Sequence, residues 1–278
     1  MSIVAWMNKK GGVGKSSLSI QYSHWLHERA GAARVAVIEL DDQRNTSRAL
    51  TAFDSGVSAE QLLTAPAMAP ERLAQCARVD RPLAVFGATA GMPDLDRSEP
   101  GPLFVAFATN VAHLAAHFDH VVIDTPPAVG LRMHAALIAA QYVAIPIELE
   151  DFSIQGMVEM LALVRSTKLQ YNERLELAGV VANRFNPHSV RQRRGLEQLI
   201  THYHKHVIPR HISTRTAIPE AISEGVSVWK LAKSSAASAR AELDGVFGCM
   251  AERMGMVLAP PVAGPAPAAP APAAPAAA

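Results

Sequence analysis

Three short stretches of this chain carry side chains whose types and spacing suit phosphate chemistry. In Lys9-Lys10-Gly11-Gly12-Val13-Gly14-Lys15-Ser16-Ser17, the glycines lack Cβ atoms and let backbone N–H groups turn inward around phosphate oxygens. Lys15 supplies a point charge for the β and γ phosphates of a nucleotide, and Ser16 offers its hydroxyl to Mg²⁺. Lys10 adds a second charge beside Lys15, which costs repulsion unless Lys10 has an anionic partner of its own, such as a phosphate. In the second stretch, Asp41-Asp42-Gln43-Arg44-Asn45, the Asp41 carboxylate can orient an attacking water and hold Mg²⁺ through its hydration shell; the alternative is a helix cap. In the third, Asp124-Thr125-Pro126-Pro127, Asp124 is an acid for a water-bound Mg²⁺, followed by a stiff turn poised to sense a γ-phosphate.

Each stretch follows an apolar run short enough to be a buried strand. Ile3-Val4-Ala5-Trp6-Met7 precedes the glycine loop, and a helical pattern over 18–29 follows it, so that the helix dipole adds positive character at the phosphates. Residues 34–40 and 120–123 are β-branched runs ending at Asp41 and Asp124. Further strands are expected over 83–87, 142–147, 177–183 and 207–209, with helices over 58–63, 71–76, 103–118, 153–165 and 234–254. Residues 91–102, rich in Gly, Pro and Asp, read as an exposed loop, and nothing between 46 and 102 suggests a catalytic role. This alternation predicts an α/β fold, a doubly wound, mostly parallel sheet flanked by helices, with ligands at the carboxyl ends of the strands.

Lys10-Gly11-Gly12-Val13-Gly14-Lys15-Ser16, with lysine where the general phosphate loop has its first glycine, resembles the deviant Walker A motif of the ParA/MinD ATPases. Asp41, Gln43 and Asn45 match that family's Asp-x-Asp-Pro-Gln-Gly-Asn segment, while Glu39, Asp42 and Arg44 depart from it; Asp124-Thr125-Pro126-Pro127 is similar to its Asp-x-Pro-Pro ending. The resemblance covers about residues 2–250. It implies an ATP- and Mg²⁺-dependent homodimer in which Lys10 crosses to the partner's nucleotide. It also implies non-specific DNA binding, a partner protein that stimulates hydrolysis, and positioning of a plasmid, chromosome or large assembly. Asn183 is the residue the resemblance assigns to the adenine, with the backbone at Pro209 close to the base; a turn-forming Asn183 is the other reading.

Composition sets limits on the alternatives. The chain has 278 residues, 49% hydrophobic, a formal net charge of +1 and two cysteines, Cys76 and Cys249. That is enough apolar material for one large domain, placed at 1–256, and too few thiols for a disulfide framework; a cytoplasmic protein is expected. With a near-neutral total, a nucleic-acid surface must come from local clustering. Residues 184–215 hold such a cluster: Arg184, Arg191, Arg193, Arg194, Lys205, Arg210 and Arg215 stand against the single acid Glu197, and Lys230 and Lys233 extend it. Arg191, Arg194, Arg210, Arg215 and Lys230 are the candidate DNA contacts and place the protein on the nucleoid; a solvated helix face is the plain alternative. The last helix carries Leu243, Val246, Phe247, Met250 and Met254 at helical spacing, which reads as core packing. The alternative is a membrane-lying helix of a MinD-like regulator, which its mixed-charge opposite face disfavours. A redox protein of the nitrogenase iron-protein type would need cysteines near Asp124, where none stands. Residues 257–278, a Pro/Ala repeat, form an expected extended tail.

Overall fold

The computed structural model describes residues 1–31, 33–77, 81–150 and 153–257; the Pro/Ala stretch from 258 on lies outside them. In chain order the elements are β1 (Ser2–Trp6), α1 (Lys15–Glu28), β2 (Val35–Glu39), α2 (Asn45–Ala49), α3 (Ala59–Thr64), α4 (Pro70–Cys76), β3 (Leu83–Phe86) and α5 (Pro100–Ala115). They continue with β4 (His120–Asp124), α6 (Leu131–Ala139), β5 (Tyr142–Ile147), α7 (Ser153–Gln170), β6 (Glu176–Phe185), α8 (Val190–Tyr203), β7 (Val207–Ser213), α9 (Ala217–Ser223) and α10 (Ala236–Arg253).

The strands form one seven-stranded sheet in the order β3-β2-β4-β1-β5-β6-β7, and every pairing is parallel. Parallel strands joined through helices are covered on both faces, which is why these strands read as unbroken apolar runs. Alternate residues feed two cores. Ala5, Met7, Ile38 and Ile123 pack against the face that carries Leu62, Phe107, Leu137 and Met157 from α3, α5, α6 and α7. Val4, Trp6 and Val122 face Tyr22 and Trp25 of α1 and Phe247 of α10 on the other side. There Trp6, Tyr22 and Phe247 meet edge to face, at centroid separations of 5.8, 6.1 and 5.1 Å. Leu243, Val246, Phe247, Met250 and Met254 are all buried in this second core, so the apolar stripe of α10 is packed inside the protein.

Two expectations are corrected here. Residues 91–102 are not simply an exposed loop: Met92–Arg97 winds into a 3-10 turn, Met92 and Leu95 are buried, and α5 already starts at Pro100, a residue suited to a first helical turn. The strand expected over 207–209 extends to Ser213 as the sheet edge. Pro209 lies within it, exposed, where the register with β6 is irregular, a position that tolerates a missing N–H. α8 ends at Tyr203, so His204 and His206 lie beyond the helix.

Candidate nucleotide site

Register brings the three motifs together. Asp124 at the end of β4 is level with Trp6 of β1 on one side and with Glu39 of β2 on the other, so the loops after these three strands open into one crevice. The glycine loop turns through two left-handed residues, Gly12 at φ 81° and Gly14 at φ 96°. Gly14 is required twice over, because a Cβ there would also collide with the Asn183 side chain. Helix α1 starts directly at Lys15, whose Nζ donates to the Lys10 carbonyl at 3.3 Å.

Lys15 is 6% exposed, and burial lowers its pKa, with the fields of Asp124 and Asp41 opposing. Asp124 is fully buried, and the loss of hydration lifts its carboxyl to about 7, although Ser16 and Thr46 hydrogen-bond to it; Glu39 and Asp41 push it the same way as burial. The Thr46 hydroxyl donates to Asp124 Oδ2 at 2.8 Å, while Asp124 Oδ1 is buried without a hydrogen-bond partner. A buried carboxylate oxygen left unmade, near the Ser16 hydroxyl and within the field of Asp41, suits a hydrated divalent cation. Ser16, Asp124 and, through water, Asp41 therefore fit Mg²⁺.

Glu39, which departs from the resembled motif, has a structural task. Its oxygens accept the N–H groups of Thr46 at 2.7 Å, Ser47 at 3.2 Å and Ala88 at 3.4 Å, fixing the start of α2. Burial raises its carboxyl, and these hydrogen bonds partly offset that. Arg44 occupies the left-handed region at φ 55°, the conformation that the usual glycine adopts freely. Asp41 is 6% exposed and accepts the Gln43 N–H at 3.1 Å, leaving its carboxylate at the crevice.

Several residues outside the motifs shape the site. Asn8 is buried; its amide donates to the Pro146 carbonyl at 2.7 Å and its oxygen accepts the Lys10 N–H at 2.9 Å, tying the loop to β5. Thr46 reaches Asp124 and so supports the site from the first residue of a stretch to which the sequence assigns no catalytic role. The signal for Thr46 was faint, a single polar residue one turn beyond Asp41. Thr125 turns inward, its hydroxyl donating to the Trp6 carbonyl at 2.9 Å. Asn183 is buried against the loop, its amide donating to the Val13 carbonyl at 2.8 Å. Lys10 points away from Lys15 to an ion pair with Glu150 at 3.1 Å, and Lys9 pairs with Glu159. A cavity of about 490 Å³ opens beside these lysines, with Val13, Ile147 and Met157 on its walls.

The candidate DNA contacts do not form one surface. Arg191 and Arg194 are exposed on α8, which covers the Phe107 face of the sheet, whereas Arg210 lies on β7 with its stem against Gly245 of α10 on the opposite face. Arg215 is bound to Glu242 at 2.6 Å, and Lys230 to Glu28 at 3.1 Å.

Known proteins resemble this chain in sequence and in fold. Residues 1–177 match a family model described as an AAA domain. Protein IncC of Escherichia coli is 36% identical over 235 residues, covering 84% of this chain and 64% of IncC, so the chain spans less than two thirds of that relative. The chromosome-partitioning ATPase Soj of Thermus thermophilus is 28% identical over 236 residues, covering 84% of this chain and 89% of Soj. Among solved structures, an ATP complex of a Cyanothece McdA variant has the same fold, with a TM-score of 0.76 at 18% identity over 93% of this chain and 98% of that one.

Proposed function

The chain belongs to the ParA/MinD family of ATPases, in its ParA-like branch, and from that premise we propose that it positions or segregates a cargo by ATP-gated attachment to DNA. MgATP closes a homodimer, the dimer binds duplex DNA without sequence preference on the nucleoid, and a partner protein stimulates hydrolysis to release it. The cargo is a plasmid, a chromosome or a large protein assembly. The observation that carries this reading is the convergence of buried Lys15, Asp41 and the unsatisfied Asp124 oxygen on one loop of backbone N–H groups.

In this reading the loop over 11–17 cradles the phosphates, and Lys15, already desolvated, neutralises charge on the β and γ groups. Ser16 and Asp124 would hold Mg²⁺, which would supply positive charge to the transferring phosphoryl group. Asp41 directs the attacking water. Lys10 is suited to leave its own subunit because its side chain is 48% exposed and its pair with Glu150 is at the surface, where such pairs are worth only about 0–1 kcal/mol. Arg191 and Arg194, together on α8, supply phosphate contacts that dimerisation doubles, so weak attachment becomes avid.

Light scattering with and without MgATP tests the scheme. Asp41→Ala should accumulate a persistent ATP-bound dimer, and Lys10→Ala should bind ATP yet stay monomeric. A Lys10→Ala protein that dimerises like the wild type removes the cross-subunit role, and equal retention on duplex DNA with ADP and with ATP removes the gating.

A further inference from the structure

Arg132 lies at the start of α6, the helix that follows the Asp124-Thr125-Pro126-Pro127 turn, and is only 4% exposed. Its guanidinium is held on one side by Asp96, through Nε at 2.9 Å and Nη2 at 2.8 Å, and its own backbone N–H donates to the same carboxylate at 3.2 Å. On the other side Nη1 donates both to the Leu40 carbonyl at 2.9 Å and to Asp42 Oδ1 at 3.1 Å. Leu40 and Asp42 are the two neighbours of Asp41.

We propose that Arg132 is a positioning residue for ATP hydrolysis: by gripping the residue before Asp41 and the residue after it, one buried guanidinium fixes the direction of the water-orienting carboxylate. The inference rests on Asp41 having that role in the reading above. The rest of the loop is tied to the same frame, since the Leu40 N–H donates to the Asp124 carbonyl at 2.8 Å and the Arg44 N–H to the Asp41 carbonyl at 3.1 Å. Asp41 thus follows a residue whose backbone is held from both β4 and α6, and its own carbonyl is tied within the loop. Arg132 also explains a departure from the resembled motif. Where that motif has proline, whose ring restrains the backbone covalently, this chain has Asp42, and the restraint is an ion pair with Arg132. Such a grip needs a planar fork reaching two carboxylates and a carbonyl at once, which a lysine ammonium on a flexible stem does not reproduce. It also needs Asp96, which explains why the 3-10 turn at Met92–Arg97 folds down onto the start of α6.

The test compares Arg132→Lys, Asp42→Asn and their double variant, with Asp41→Ala as reference, by turnover at saturating MgATP, ATP affinity and melting temperature. Each single variant should lower turnover by about tenfold or more, because small misplacements of a catalytic group are expensive in rate, while ATP affinity stays within about twofold. The double variant should fall no further than the worse single one, as expected for groups acting through one contact. Wild-type turnover in Arg132→Lys, additive effects, or a drop matched by weakened ATP binding and a lowered melting temperature would each overturn the inference. Asp42→Asn, at a part-exposed position, keeps the test open if Arg132→Lys folds poorly. Wild-type turnover in Asp41→Ala would instead overturn the reading beneath it.

Discussion

The phosphate crevice and the basic stretch over 184–215 are both dense in charge, yet they are built on opposite terms. In the crevice, Lys15, Glu39, Asp41 and Asp124 are nearly dry, and backbone geometry fixes each one. In the basic stretch, Arg191 and Arg194 on α8 and Arg210 on β7 are exposed on two faces of the sheet, and Arg215 is paired with Glu242. Charges that do chemistry must be desolvated and aimed, whereas charges that follow a polyanion need only be present and wet. Sequence clustering alone does not distinguish the two kinds.

The largest break in that contrast is Lys15→Ala, which removes the buried cation of the crevice and should lower ATP turnover on the order of a hundred- to a thousandfold, the scale set by removing a preorganised donor. Unchanged turnover would mean that the crevice is not organised around phosphate.

Next in size is the pH response of Asp124. Its folded carboxyl sits at about 7 against an ordinary 3.8, so the nucleotide-free protein binds more protons folded than unfolded and loses stability as pH rises between those values. Each pKa unit is worth about 1.4 kcal/mol, which makes the effect a few kcal/mol. His24 and His120, lowered to about 4 by burial, act in the opposite sense below pH 6.5. The readout is therefore Asp124→Asn against wild type in thermal melts from pH 5 to 8, where the histidines cancel. The variant's advantage should grow with pH, and a constant difference would refute the buried-acid assignment.

On the basic stretch the effects are smaller and graded. Arg191→Glu with Arg194→Glu should weaken DNA binding equally on unrelated sequences and reduce the slope of log affinity against log salt by about one for each phosphate no longer neutralised. Arg215→Gln should instead act on the fold, since it leaves Glu242 with only the Ser213 N–H and hydroxyl. If Arg215→Gln proved as damaging to DNA binding as the α8 pair, the division into fixed and wet charges would not hold here. Smallest is Arg44→Gly, which relieves a left-handed residue and should raise stability by about 1 kcal/mol or less, read as a melting shift of about 2–4 °C.

The sheet, the order of its motifs and the placement of Lys15, Asp41 and Asp124 beyond the strand ends were legible because each is local: a run of apolar residues ends, and a polar residue follows at the strand's mouth. What could not be read was what those residues lean on. Asn8, Thr46, Asp96 and Arg132 reach the site through contacts that cross long stretches of chain, and none has a spacing rule. Arg132 did leave a trace. An arginine within the largely apolar segment over 131–140 must be paired when buried, and Asp42, standing in proline's place, was an acid without a task. The 3-10 turn at Met92–Arg97 was obscured by its Gly and Pro content, which marks loops and tight helical turns alike.

The sheet order carries a consequence for how the site comes into being. β1 pairs with β4, joining residues 118 apart in sequence, so the glycine loop has no Asp124 beside it until most of the first half of the chain has left the ribosome. At about 5–20 residues per second, that is an interval on the order of ten seconds. During it Lys15 lacks the Asp124 carboxylate that faces it in the finished crevice, so the phosphate site is incomplete until β1 and β4 meet. Nucleotide is thus a ligand of the finished sheet and acts after the slow, long-range pairing has been won by apolar burial.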